Sequence, residues 1–290
     1  MIATLKTTMT DLPHPPFRIQ YPVSAVPHPL TVVKLGGAIL SDASAVADVW
    51  AGIAHMPGPV VVVHGGGPQL TEIAARLGHT PRFVAGRRVT TDLDLRVALW
   101  ALRGEINARL VASAVAHGLS AAGISGADGP TVVVTKRPPR DVDGETVDFG
   151  HVGDVVRVET GLLLALLGAG VVPVVSPVST DAQGGLFNVN ADTVALEVAA
   201  TLSAARLLFV AQAGGVFRDL SDPTTRLDTL DAAAAARGVG EGWIADGMRP
   251  KLETGFAALA RGVGSVRICA PAALSDAAAV GTAAGTALTA

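Results

Sequence analysis

Short apolar runs alternate with longer stretches of helical periodicity along most of this 290-residue chain. The runs at 31–35, 60–63, 171–175, 206–211 and 266–270 are too short for helices and leave no solvated face, so they predict buried strands; 119–125 is a further, less apolar one. Residues 43–54, 68–77, 160–168, 191–204, 231–237 and 250–261 predict helices, and a short helix is expected at the C-terminus. Ser41 or Asp42 would cap the first helix. Thr91 or Asp92 would cap a longer one reaching about Ala116, with Leu95, Leu99, Leu102, Ile106 and Leu110 on one face. Alternation in “TVVVT” and “VVRVE” marks antiparallel structure within 131–158. Strands alternating with helices predict an α/β fold, a three-layer α-β-α sandwich on a mainly parallel central sheet. In such sheets, ligands lie beyond the carboxyl ends of the strands, where the strand order switches.

Composition removes several alternatives. The net charge is −3 without a basic block, and aromatic residues make up only 4%, so the footprint of a nucleic-acid binder is missing. Cys269 is the single cysteine, which excludes an intrachain disulfide and reads as a small buried residue at a strand end. No apolar run approaches the roughly 20 residues of a membrane helix; the longest candidate, “LLLALLGAGVVPVV”, is broken by Gly168, Gly170 and Pro173. A soluble, cytoplasmic protein is expected. Six prolines among the first thirty residues predict an irregular arm over 1–30, because they prevent both helix and ladder.

The candidate chemistry sits at strand ends. Val60–Val63 runs through His64 into Gly65-Gly66-Gly67-Pro68, and glycine triplets rarely serve strand stability. Their bareness fits either a tight strand-to-helix turn or the close approach of an anion to backbone N–H groups. The spacing matches neither GxGxxG nor the Walker pattern, so a phosphate here would be bound by another design. The chain holds only four lysines, Lys6, Lys34, Lys136 and Lys251. Lys34 ends a strand before Gly36-Gly37, as a solvated terminus or as a point charge for phosphate oxygens. Lys251 follows Pro250 in the first turn of a helix, where it opposes the macrodipole. Asn190 or Asp192 would cap the helix after “FNVN”, and Arg87 or Arg88 could clamp a carboxylate with two parallel hydrogen bonds.

Taken in order, “KLGG” (34–37), “HGGGP” (64–68), “GRRVT” (86–90), “GADG” (126–129), “NVNADT” (188–193) and “DGMRPKL” (246–252) resemble the amino-acid kinase family, and most closely its members that phosphorylate N-acetyl-L-glutamate. The resemblance covers roughly residues 31–290. It implies transfer of the ATP γ-phosphoryl group, with Mg²⁺ held mostly by nucleotide oxygens, onto the substrate's side-chain carboxylate in arginine biosynthesis. A related kinase acting on carrier-bound α-aminoadipate, and a non-catalytic binding paralogue, are the alternatives. The resemblance further implies that Lys34 and Lys251 stabilise the transferring group and that Asp192 holds both lysines. Gly37, Gly66 and Gly67 would offer N–H groups, and Arg88 and Asn188 would bind the α-carboxylate. Nucleotide contacts would come from Gly36, Gly37, Gln212, Gly214, Gly215, Phe217, Trp243 and Ala245, with the N–H groups of Gly214 and Gly215 available to phosphate. No protein metal site is expected. Residues 31–203 would form an acyl-amino-acid-binding lobe and 204–290 a nucleotide-binding lobe, in a homodimer. Where many relatives open the nucleotide loop with an aspartate, this chain has Gln212.

Overall fold

The computed structural model describes residues 29–245, 247–274 and 285–289, so the Pro-rich arm lies outside the described residues except for its last two. Eight strands form the central sheet in the order Thr229–Asp231, Thr286–Thr289, Val266–Cys269, Arg206–Val210, Thr31–Leu35, Val60–His64, Val172–Ser176 and Ala121–Ser125. All neighbours run parallel except Val266–Cys269 and Thr286–Thr289. Each central strand feeds two cores. Val32, Val61, Val63, Leu207 and Phe209 enter one, while Val33, Val60, Val62, Leu208 and Val210 enter the other. Successive side chains of a strand point to opposite faces, so burial of both faces demands the unbroken apolar runs seen in the sequence.

Helices cover both faces. Ala43–Ala54 buries Val46, Val49, Trp50 and Ile53 in the second core, and Asp42 caps it by accepting from the Ser44 and Ala45 N–H groups. Ala191–Thr201 and Met248–Ala260 cover the first core, through Val194, Val198, Leu252 and Ala258. The chain enters at Thr31–Leu35, builds outward on the Val60 side, and later returns to add Arg206–Val210 on the other flank. The strand order therefore switches around the first strand, and the carboxyl ends of Thr31–Leu35 and Val60–His64 open there. Beyond this edge lies a smaller sheet, ordered Leu186–Asn188, Val178–Thr180, Val132–Lys136 and Gly153–Val158, with hairpins at 83–88 and 140–147. No helix among the described residues is long and apolar enough to cross a membrane.

Two elements differ from expectation. Thr286–Thr289 is a strand that the sequence did not mark: Thr286 and Leu288 are buried while Thr289 is exposed, a period of two that a four-residue stretch beside alanines did not reveal. The short C-terminal helix expected after 266–270 falls largely on residues outside the described ones. The long helix over 92–116 is present, but Leu99–Ile106 is π-helical. The widened turn shifts the buried face, so Val97 and Ala101 enter the core while Leu95 and Leu99 are half-buried.

Candidate active site

Lys34 lies on the same face of its strand as Val32, the face covered by helix Ala191–Thr201. Asp192 is the second residue of that helix, and Asn190, not Asp192, is its cap, accepting from the Asp192 and Thr193 N–H groups. With the cap position filled, the Asp192 carboxylate is released toward the sheet. Lys34 Nζ stands 2.6 Å from Asp192 Oδ1, an ion pair without the alignment of a hydrogen bond. Lys251 Nζ, from the neighbouring helix Met248–Ala260, donates to Oδ2 at 3.5 Å and lies 5.9 Å from the centre of the Phe209 ring.

All three groups are largely withdrawn from water, with side-chain exposures of 7%, 10% and 13% for Lys34, Asp192 and Lys251. Burial alone would raise the Asp192 carboxyl, but the two ammonium groups outweigh it and hold its pKa below 3.8. Burial and the Lys34 charge lower the pKa of Lys251 from 10.5, against the attraction of Asp192. The cluster carries a net charge of about +1 with all three groups ionised, which makes it a receiver of anions.

The glycine turn adjoins it. Lys34, Asp192, Gly37, Gly65, Gly66 and Gly67 all line one cavity of about 810 Å³. A Cβ on Gly66 would come within 2.6 Å of Leu102 and 2.7 Å of Ile106, and its φ is +156°. A Cβ on Gly37 would meet Pro68 at 2.6 Å. These two positions require glycine because the turn is packed against the π-helical stretch on one side and against itself on the other. Gly67 opens helix Gly67–Arg76, whose first N–H groups have no intrahelical acceptor. Donors thus converge where the positive cluster ends.

The opposite wall carries arginines. Arg88 donates to Thr71 Oγ1 at 2.6 Å and to Gly67 O at 3.4 Å, and reaches Asp94 at 3.4 Å. Five N–H donors serve these three acceptors, so donors remain for a ligand. Its side chain is only 9% exposed, which excludes an ordinary surface arginine. Asp94 is itself fastened by the capping box with Thr91 and by His79. Asn188 Nδ2 donates to Thr90 Oγ1 at 3.3 Å and faces the same cavity. Arg137 was not foreseen. It follows the strand Val132–Lys136, is held by Asp154 at 2.6 and 2.8 Å, and places a further guanidinium on the cavity. In the sequence, “TKRPPR” reads only as a loop, and nothing there marks one of its cations as buried.

The residues expected to hold nucleotide are not gathered in the same way. The Gly36 N–H donates to Val210 O, and the Gly214 N–H, expected to be available to phosphate, donates to Ala211 O instead. The first continues the strand ladder by one bond; the second closes a turn with Gly214 at φ +74°. Gly215 is buried against Arg226 and Thr286. Gln212 is exposed and borders a separate cleft of about 230 Å³ with Asp42, Ala270 and Pro271. Trp243 borders a third, of about 180 Å³, beneath the Arg218 guanidinium, and its Nε1 donates to Glu241. Phe217 is half-buried beside Arg226, and Ala245 is exposed.

Comparison with known proteins agrees with this architecture. Residues 29–270 match the model of the amino acid kinase family. The acetylglutamate kinase of Sorangium cellulosum is 40% identical over 85% of this chain and 88% of its own, and that of Methanopyrus kandleri is 40% identical over 80% and 92%. Among solved structures, N-acetylglutamate synthase from Neisseria gonorrhoeae superposes with a TM-score of 0.75 at 24% identity, over 92% of this chain and 61% of that one; Giardia carbamate kinase gives 0.64 at 14%, over 89% and 98%. These two likenesses speak for the fold alone. Fold and sequence agree: the chain belongs to the amino acid kinase family.

Proposed function

We propose that this protein is an acetylglutamate kinase, phosphorylating the side-chain carboxylate of N-acetyl-L-glutamate with ATP to give N-acetyl-L-glutamyl 5-phosphate, a step of arginine biosynthesis. The observation that carries the reading is Asp192 bridging Lys34 and Lys251 beside the glycine turn, in a chain that matches acetylglutamate kinases over most of their length. The acceptor carboxylate has a pKa of roughly 4.3 and is ionised at neutral pH, so the reaction needs no general base. One carboxylate oxygen bonds to the γ-phosphorus as the bond to the β-phosphate oxygen breaks, and ADP leaves. The obstacle is the meeting of two anions, and catalysis consists of positioning and charge neutralisation. Lys34 and Lys251 supply positive charge to the transferring group and the leaving oxygen, and Asp192 keeps the two ammonium groups together. Gly37, Gly66 and Gly67 offer N–H groups where negative charge gathers. Mg²⁺ brought by ATP supplies further charge neutralisation. The carboxylates on the cavity wall, Glu72 and Asp192, are engaged by Arg76 and by the two lysines, which fits an ion held by nucleotide oxygens and water. Residues 31–203 would hold the acyl amino acid and 204–290 the nucleotide.

ATP-dependent hydroxamate formation tests the reaction. Turnover is expected with N-acetylglutamate and not with aspartate, glutamate or free α-aminoadipate; preference for any of those overturns it. Arg88 is proposed to take the α-carboxylate. Arg88→Lys replaces a two-pronged donor by a point charge and should raise KM for N-acetylglutamate roughly 10–100-fold, the equivalent of one charged hydrogen bond of about 1.5–3 kcal/mol. KM for ATP should stay within about threefold. Equal rises in both constants would make Arg88 structural.

Gln212 is expected to be compatible with nucleotide use, because its amide oxygen still accepts a hydrogen bond. Gln212→Asp should change KM for ATP less than about tenfold, or ~1.4 kcal/mol. Calorimetry with MgATP is the check: no binding at millimolar nucleotide would defeat the kinase reading.

A further inference from the structure

We propose that His64 and Asn107 form a buried positioning pair that sets the plane of the Gly65–Gly66 peptide and so aims the Gly66 N–H at the anion in the cavity. The proposal rests on the kinase reading only for the identity of that anion. His64 ends its strand on the face of Val60 and Val62, away from Lys34, and is fully buried. Its Nδ1 lies 2.9 Å from Gly65 O and its Nε2 lies 3.1 Å from Asn107 Nδ2. A carbonyl oxygen can only accept, so Nδ1 carries the proton and Nε2 accepts from the amide. The orientation of the amide is set in turn. Asn107 Nδ2 also faces Val174 O at 2.9 Å and Ile124 O at 3.4 Å, which accept only and therefore require the NH₂ on that side. Its Oδ1 occupies the space where Gly123 lacks a side chain, since a Cβ there would stand 1.9 Å away.

The consequence reaches the site through the peptide bond. Gly65 N–H is fastened to Leu35 O at 3.0 Å, and Gly65 O is fastened to His64. In a trans peptide the C=O and the following N–H point in opposite directions. With the carbonyl turned toward the buried ring, the Gly66 N–H is turned away from it, toward the cavity that Gly66 lines. Asn107 is also the first α-helical residue after the π-helical stretch, adjacent to Ile106, which presses on Gly66. One helix therefore fixes both the position of the turn and its orientation. Burial pushes the His64 pKa down to about 4, against the bond to Gly65 and helped by the Lys34 charge. The ring is neutral at physiological pH, and its two nitrogens are engaged inside the protein, so it positions the turn without exchanging protons with substrate.

The test combines ring spectroscopy with two near-isosteric variants. In the ¹⁵N spectrum of the full-length protein, the His64 ring should be the Nδ1–H tautomer, unchanged from pH 6 to 8. His64→Asn places an amide N–H where Nδ1 lies and keeps the bond to Gly65 O; His64→Gln carries its donor one bond further and loses it. His64→Gln should lower kcat about 10²-fold, the size of one lost oxyanion donor, with KM within about threefold. His64→Asn should recover at least tenfold of that. An Nε2–H ring overturns the proposal, and so does equal turnover of the two folded variants. If either variant does not fold, the wild-type tautomer decides alone. Should the unsubstituted protein show the Nδ1–H ring but not phosphorylate N-acetylglutamate, the kinase reading fails and the positioning pair stands.

Discussion

Lys251→Ala is expected to lower kcat by about 10²–10⁴, and Lys34→Ala to act similarly, because each removes a charge that the reaction meets only as negative charge spreads over the phosphoryl group. KM values should move much less, since the loss falls on the transition state. Lys136→Ala is the control. Lys136 pairs with Asp148 at the surface and is about half exposed, so its removal should leave turnover unchanged. A pH profile adds a second reading. Burial and the Lys34 charge hold Lys251 below 10.5, so the alkaline loss of kcat should begin below that value and be absent from the residual activity of Lys251→Ala. Near wild-type kcat in Lys251→Ala would remove the transition-state role.

Asp192→Asn should carry the largest stability effect. It keeps the volume but leaves Lys34 and Lys251 facing each other in a site with little water. Removing one partner of a buried ionic group typically costs about 3–5 kcal/mol. The sign with pH follows from the lowered Asp192 pKa. The carboxylate's contribution is present above its ordinary value of 3.8 and is lost as pH falls through the lower folded value. The gap in melting temperature between wild type and Asp192→Asn should therefore be widest above pH ~4 and narrow on further acidification. Millimolar phosphate or ATP should narrow it at neutral pH by occupying the space between the ammonium groups. Equal melting temperatures at neutral pH would show that the triad is not an electrostatic unit.

Much of the fold was legible because burial on both faces of a parallel sheet writes a strong signal, an unbroken apolar run such as Val60–Val63, that few other environments produce. Thr286–Thr289 was not legible: four residues carry too little period to outweigh the helix propensity of neighbouring alanines, and only pairing with Val266–Cys269 on one side and Thr229–Asp231 on the other decides them. The π-helical stretch was equally hidden, because its apolar spacing differs from an α-helix by a single residue within one turn.

For the site, the sequence by itself determined the residue types and their strand-end positions: Lys34 before Gly36-Gly37, the triplet after His64, Arg88 and Thr90 before a capped helix, and Asp192 and Lys251 in first helical turns. Local rules are enough for that, since caps, glycine turns and strand ends are decided by neighbours in the chain. Only the tertiary structure decided that Asp192 takes both lysines, that Gly36 and Gly214 spend their N–H groups inside the protein, that Arg137 joins Arg88, and that His64 turns away from the cavity its neighbours Gly65 and Gly66 line. The reason is the pleat. Lys34 and His64 sit on adjacent parallel strands, one facing helix Ala191–Thr201 and the other facing Asn107, and which helix covers which face depends on a strand order that distant segments establish together.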